Sequence, residues 1–174
     1  MDDTELLALC REGDAAAFGE LVRRHRNHAW AVCLQITWNQ HDAEDALQDA
    51  LTAAWQNLHR FRGDARFGTW LQRIAANAAL AAIRRRTPIP TTPDEHVELH
   101  DLAPLTAERV VDVDAVRTAL ARLSEDFRVA IVLREFADFS YEEIAEHQGI
   151  NVQTVRSRLN RARRQLAAAL APVE

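Results

Sequence analysis

SYEEIAEHQGINVQTVRSRLNRARRQL, residues 140–166, is the stretch on which the reading of this chain turns. Ser140 followed three positions later by Glu143 is a helix-start signature, the hydroxyl and the carboxylate each taking an orphan backbone amide, so a short helix begins near Tyr141. Ala145 is small enough for a second helix to cross close by. Gly149 supplies a left-handed turn that ends the first helix, and Asn151 is placed to cap the next. From Val152 onward, Val155, Leu159, Ala162 and Leu166 recur at helical spacing and form an inward stripe. Gln153, Arg156, Ser157, Asn160, Arg161 and Arg164 fall on other faces. The pattern is a helix-turn-helix, in which the early turns of the second helix meet base edges in a duplex groove. Arg156, Ser157 and Asn160 are the expected base readers, with Arg158, Arg161 and Arg163 expected on phosphates. A merely solvated helix would mix charge signs, yet residues 152–166 carry five arginines and no acid.

Composition agrees with a helical protein. Five Gly, five Pro and one Tyr accompany abundant Ala, Leu and Arg in 174 residues. All 21 basic residues are arginine, a side chain suited to bidentate phosphate and guanine contacts. The net charge of −5 is sorted along the chain. Residues 1–20 hold six acids against Arg11, and 94–114 hold seven against Arg109. Residues 60–86 instead carry Arg60, Arg62, Arg66, Arg73, Arg84, Arg85 and Arg86 against Asp64 alone. Cys10 and Cys33 form no CxxC pair and sit in apolar helical settings, as buried thiols of a reducing cytoplasm do. His25 with His28, and His96 with His100, share helical spacing but lack a third ligand, so neither a metal nor another cofactor is expected. The start of the chain is acidic, and no apolar run approaches the roughly 20 residues that span a bilayer. A cytoplasmic protein without membrane insertion is expected.

The helical periodicity predicts an all-α protein of two small domains, a four-helix domain at 3–86 and a helix-turn-helix domain at 113–171. Helices are expected near 4–11, 14–37, 41–59 and 67–85, then near 113–122, 125–136, 140–148 and 152–169. Between the domains, 87–112 holds Pro88, Pro90, Pro93 and Pro104 among acids and threonines, the composition of a flexible acidic linker. In the helix over 42–61, Ala46, Leu47, Ala50, Leu51, Ala54 and Leu58 point inward. Glu44, Asp45, Gln48, Asp49 and Gln56 are left on an outer face. The unit FRGDARFGTWLQRIAANAALAAIRRR, 61–86, sets Phe61, Phe67 and Trp70 beside arginines around a glycine loop. Rings interleaved with cations suit single-stranded DNA, whose bases stack while cations follow the backbone. Phe61, Trp70 and Ile74 also read as partly core, which leaves strand binding mainly to the loop, Asn77 and the basic residues.

Four motifs in one order then resemble a known family: GDAAAFGELVRRH at 13–25, DAEDALQDALTAAW at 42–55, FRGDARFGTWLQRIAANAAL at 61–80 and the segment from Leu123 to Leu166. Together they are similar to the extracytoplasmic-function sigma factors, the compact two-domain initiation subunits of bacterial RNA polymerase. The resemblance implies a non-enzymatic subunit that binds core polymerase, directs it to promoters and promotes strand opening at the −10 element. It implies that Asp45, Gln48 and Asp49 dock on the polymerase clamp helices. The −10 contacts it implies are Arg62, Asp64, Arg66, Phe67, Trp70, Arg73, Asn77, Arg84 and Arg85, with the 62–67 loop and Asn77 taking an extruded base. The −35 surface it implies comprises Gln153, Thr154, Arg156, Ser157, Arg158, Asn160, Arg161 and Arg164, in a domain that also meets the polymerase flap. The acidic linker resembles the family's connector through the RNA exit region, and an anti-sigma factor is a further implied partner. Ala81 stands where the family often has an acid, Ala46 and Leu51 replace bulkier residues, and His147-Gln148 replaces an apolar pair before the turn glycine. The alternative is a helix-turn-helix regulator acting on duplex DNA alone. Such a regulator carries an α/β sensing domain, and no strand-like alternation precedes this motif. An enzyme is disfavoured, because no phosphate-cradling glycine loop, nucleophile elbow or HExxH is present.

Overall fold

A computed structural model describes residues 1–86 and 107–171. Among these residues every regular element is helical. In order they are α1 (Asp3–Arg11), α2 (Ala15–Thr37), α3 (Gln40–Asn57), a 3-10 turn (Leu58–Arg60) and α4 (Phe67–Arg85), then α5 (Ala107–Ala121), α6 (Glu125–Glu135), α7 (Tyr141–Gln148) and α8 (Val152–Leu170). The first four helices form one compact unit and the last four another.

Caps written in the sequence start most of the helices. Asp2 accepts from the Glu5 amide at 2.8 Å while the Glu5 carboxylate accepts from the Asp2 amide at 2.7 Å, a reciprocal box that begins α1. Asp14 accepts from the amides of Ala16 and Ala17 to begin α2, and Asn39 from that of Asp42 to begin α3. The core of the unit is a seam of small residues, Ala46, Ala50 and Ala54 on α3 and Ala75, Ala76 and Ala79 on α4, all fully buried with Leu21, Val32, Ile36 and Leu71. Alanine at these crossings lets helix backbones approach, and the leucine and isoleucine side chains fill the remaining volume. Leu51, expected inside, is only half-buried. Cys10 and Cys33 are buried, as expected; Cys33 donates to the Ala75 carbonyl at 3.6 Å, and burial pushes its thiol up to about 12.

The second unit follows the same logic. Ser140 Oγ accepts from the Glu143 amide at 3.1 Å, and Glu143 returns the bond to the Ser140 amide at 2.7 Å. Gly149 closes α7 with φ of +64°, and Asn151 accepts from the Thr154 amide at 2.7 Å to start α8. Leu120, Ile131, Val132, Leu133, Phe139, Ile144, Val155 and Leu159 form its core.

Two boundaries differ from the sequence reading by more than one residue. The helix expected from 113 begins at Ala107, so the linker expected over 87–112 gives up its last six positions; 87–106 lie outside the described residues. The helix expected to 59 stops at Asn57, whose side-chain amide bonds the Ala53 carbonyl as the chain tightens into the 3-10 turn. α2 ends at Thr37, as expected, and does so without a glycine, on Trp38 in the left-handed region at φ +51°. No helix among the described residues is long and apolar enough to cross a membrane.

Candidate nucleic-acid interface

On α8 the buried stripe is Val155, Leu159 and Ala162, with Leu166 half-buried beyond it. Gln153, Arg156, Ser157, Asn160, Arg161 and Arg164 are exposed on the remaining faces, where the periodicity put them. Thr154 is half-buried, and its hydroxyl bonds the capping Asn151 at 2.9 Å. Two expected phosphate contacts are engaged within the unit instead. Arg158 pairs with Asp126 at 2.9 Å and donates to Gln148 Oε1 at 3.0 Å, and Arg163 pairs with Glu135 at 2.7 Å. The reason is helical register: 158 is three positions from Val155 and 163 is four from Leu159, so both border the buried stripe and lean over acids of the preceding helices. The polar pair before the turn glycine is satisfied by the same arrangement. Gln148 also donates to the Asp126 carbonyl at 2.9 Å, and the His147 ring packs on Phe139 with centroids 5.3 Å apart.

In the first unit, residues 62–66 form an exposed loop between two buried rings, with Gly63 at φ +85° supplying its turn. Phe61, Phe67 and Trp70 pack together, with centroids 5.0 Å apart for Phe61–Trp70, 5.7 Å for Phe67–Trp70 and 6.1 Å for Phe61–Phe67. Phe67 is only 3% exposed, which corrects its assignment as a direct DNA contact: its ring supports the loop and offers no stacking face. Trp70 and Arg73 are half-buried, and Asn77 and Arg84 exposed; with Ala81 they follow one another at three- and four-residue steps, a single stripe along α4. Arg62 and Asp64 stand 4.0 Å apart on the exposed loop.

An open groove of about 670 Å³ runs under this loop, lined among others by Arg11, His25, Phe61, Arg66, Gly68 and Gln72. Sequence reasoning assigned no role here to Arg11 or His25, because contacts across 50 and 22 residues leave no spacing to read.

Asp45, Gln48 and Asp49 are exposed along α3, as expected. They line a second groove, about 540 Å³, whose opposite wall is Arg85 and Arg86. Asp49 pairs with Arg85 at 3.4 Å, and Asp42 with Arg86. Arg85 therefore reaches toward the acidic face of α3 while remaining exposed. Among the described residues no cluster of three or more His, Cys, Asp or Glu is arranged to hold a metal; His96 and His100 lie outside them.

Residues 21–89 match the family model of Sigma-70 region 2, and residues 114–166 that of Sigma-70 region 4. The chain is 39% identical over 171 residues to the ECF RNA polymerase sigma factor SigM of Mycobacterium tuberculosis, covering 97% of this chain and 84% of that protein. The chain belongs to the extracytoplasmic-function sigma factors. Another relative in this sigma factor family is the ECF RNA polymerase sigma-E factor of Escherichia coli K12, 37% identical over 94% of this chain and 91% of its own length. Among solved structures, the chain is similar to the sigma factor RpoE of Bartonella quintana in complex with the anti-sigma factor NepR (26% identity, TM-score 0.59, 88% of this chain and 96% of that one). It is also similar to CnrH in complex with the cytosolic domain of CnrY (29% identity, TM-score 0.56, 97% of this chain and 96% of that one).

Proposed function

We propose that this sigma factor divides promoter recognition between two surfaces. Asp45, Gln48 and Asp49 on α3 dock on the clamp helices of core polymerase, where an exposed acidic face meets cationic partners. The loop with Arg62, Asp64 and Arg66, together with Trp70, Arg73, Asn77 and Arg84 on α4, receives the opened −10 strand. Gln153, Thr154, Arg156, Ser157, Asn160, Arg161 and Arg164 meet the −35 duplex. Thr154 contributes by holding the cap, and Arg158, with Phe67 and Arg85, is assigned a supporting role. Extruding a base from the duplex costs a few kcal/mol, and a surface that holds only the unstacked form offsets that cost and retains the melted state without ATP. The chain supplies no chemistry of its own in this reading, acts in the cytoplasm beside the polymerase, and is a target for an anti-sigma factor of the kind named for its structural relatives.

The observation that carries the reading is the coexistence, in one chain, of an exposed loop flanked by a tryptophan–arginine–asparagine stripe and a recognition helix whose exposed face holds no acid. The test is transcription with core polymerase on promoters mapped by start site. Asn77→Ala is expected to lower open-complex formation while leaving core affinity intact. Equal loss of both, or specific duplex binding unchanged by polymerase, would reject the assignment in favour of a duplex-only regulator.

A further inference from the structure

We infer that α1 acts as a brace that fixes the shape of the base-capturing loop, through a hydrogen bond between Asp3 and His25 that holds the His25 ring against Gly68. The inference rests on the loop reading proposed above. His25 lies on α2, 22 residues from Asp3, and its Nε2 stands 2.6 Å from Asp3 Oδ2. The other carboxylate oxygen accepts from Arg24 at 3.1 Å, so both oxygens of Asp3 are engaged. The ring is packed edge-on against Phe67, with centroids 5.5 Å apart. At Gly68 no side chain intervenes: a Cβ there would lie 2.8 Å from His25 Nδ1 and 3.4 Å from Cε1. A free histidine ring would swing aside cheaply, but this one is held at Nε2 by Asp3 and packed edge-on against Phe67. The opposite end of α1 reaches the other side of the loop, where Arg11 donates to the Phe61 carbonyl at 2.9 Å. One short helix thus fixes both ends of a loop whose own residues, 62–66, are exposed. Holding the ends lowers the ordering cost when the loop closes on an extruded base. Asp3, Arg11 and His25 are therefore positioning residues, acting through backbone and ring contacts and not on the base itself.

The experiment uses holoenzyme assembled from core polymerase and the full chain, on a promoter carrying 2-aminopurine in the −10 element. Fluorescence reports base unstacking, and competition binding reports core affinity. Asp3→Ala and His25→Ala are each expected to lower opening about tenfold, the lower end for one hydrogen bond to a charged group, and their double variant is expected to lose no more than either alone. His25→Gln should restore opening, since its amide N–H reaches the place of Nε2. Gly68→Ala should copy the defect by displacing the ring. Core affinity stays at the parent level throughout, and a template mismatched across the −10 element relieves the deficit. The combined loop variant Arg62→Ala/Asp64→Ala/Arg66→Ala separates the two readings. If it impairs opening and Asp3→Ala does not, the brace is overturned and the loop reading stands. If it leaves opening intact, the loop reading falls and the brace with it. A His25→Gln variant as defective as His25→Ala, or core affinity falling in parallel with opening, reduces α1 to packing and also overturns the brace.

Discussion

Arg156 and Arg158 are two positions apart on α8 and occupy different chemistries. Arg156 is exposed, on the face carrying Ser157 and Asn160, whereas Arg158 is drawn across the unit to Asp126 and Gln148. Arg156→Ala is expected to cost about 1 to 3 kcal/mol of promoter affinity and to relax preference at one −35 position, as read by binding to a panel of single-base variants. Arg158→Ala is expected instead to destabilise the protein by about 1 to 2 kcal/mol in thermal unfolding, with base preference unchanged. The carboxylates of the first unit give a pH signature. Hydrogen bonds from Arg23 and Arg24 hold Glu20 down from 4.5 to about 2. Burial pulls Asp3 upward, but hydrogen bonds from His25 and Arg24 outweigh it and leave that group below 3.8. A carboxyl depressed in the folded state stabilises above its unfolded value, and the contribution disappears as pH falls through the folded one. Glu20→Gln should therefore flatten the fall in melting temperature between pH 4.5 and about 2, measured at stepped pH.

At the scale of elements, the parts legible in advance are those specified by residues close in sequence. The Ser140–Glu143 box, Gly149 and Asn151 all act within four residues, and α7 and α8 stand where they were expected. Ser140→Ala is expected to cost about 1 kcal/mol of unfolding free energy, because the Glu143 amide loses the hydroxyl oxygen that accepts from it. The same local logic exposed Asp45 and Gln48, since the alanines opposite them leave no other face for burial. Asp45→Arg should consequently lower core affinity at least about tenfold without shifting the melting temperature, by competition binding and thermal unfolding respectively. What escaped the sequence was set by distance along the chain. Whether Arg85 joins Arg84 or crosses to Asp49 depends on how α4 packs on α3, and no spacing within 84–86 encodes it. The groove beneath the loop likewise exists only because α1 folds back on α2, and the burial of Phe67 follows from ring partners as far away as His25.

Over the whole chain, a net charge of −5 coexists with two arginine-bearing surfaces because acids and bases are segregated. Some acids near the start and on α3 engage arginines of their own unit, as Asp3 does with Arg24 and Asp49 with Arg85. The outward face of α8 carries no acid at all. Promoter affinity of the holoenzyme should therefore depend on salt through particular arginines and not through net charge, since each phosphate contact releases condensed counterion. Arg161→Ala removes a proposed duplex phosphate contact and should reduce the slope of log K against log salt by about 0.9. Arg84→Ala acts beside opened strand, where counterion density is lower, and should reduce it by about 0.7. The two residues belong to separate compact units, so the double variant should lose the sum of the single free-energy losses to within about 0.5 kcal/mol. A titration of holoenzyme binding across salt concentrations measures all three variants at once. A slope unaltered by Arg84→Ala would remove the upstream end of the α4 stripe from the −10 surface. A double variant losing much less than the sum would mean that one surface engages only after the other, which makes strand opening conditional on duplex recognition.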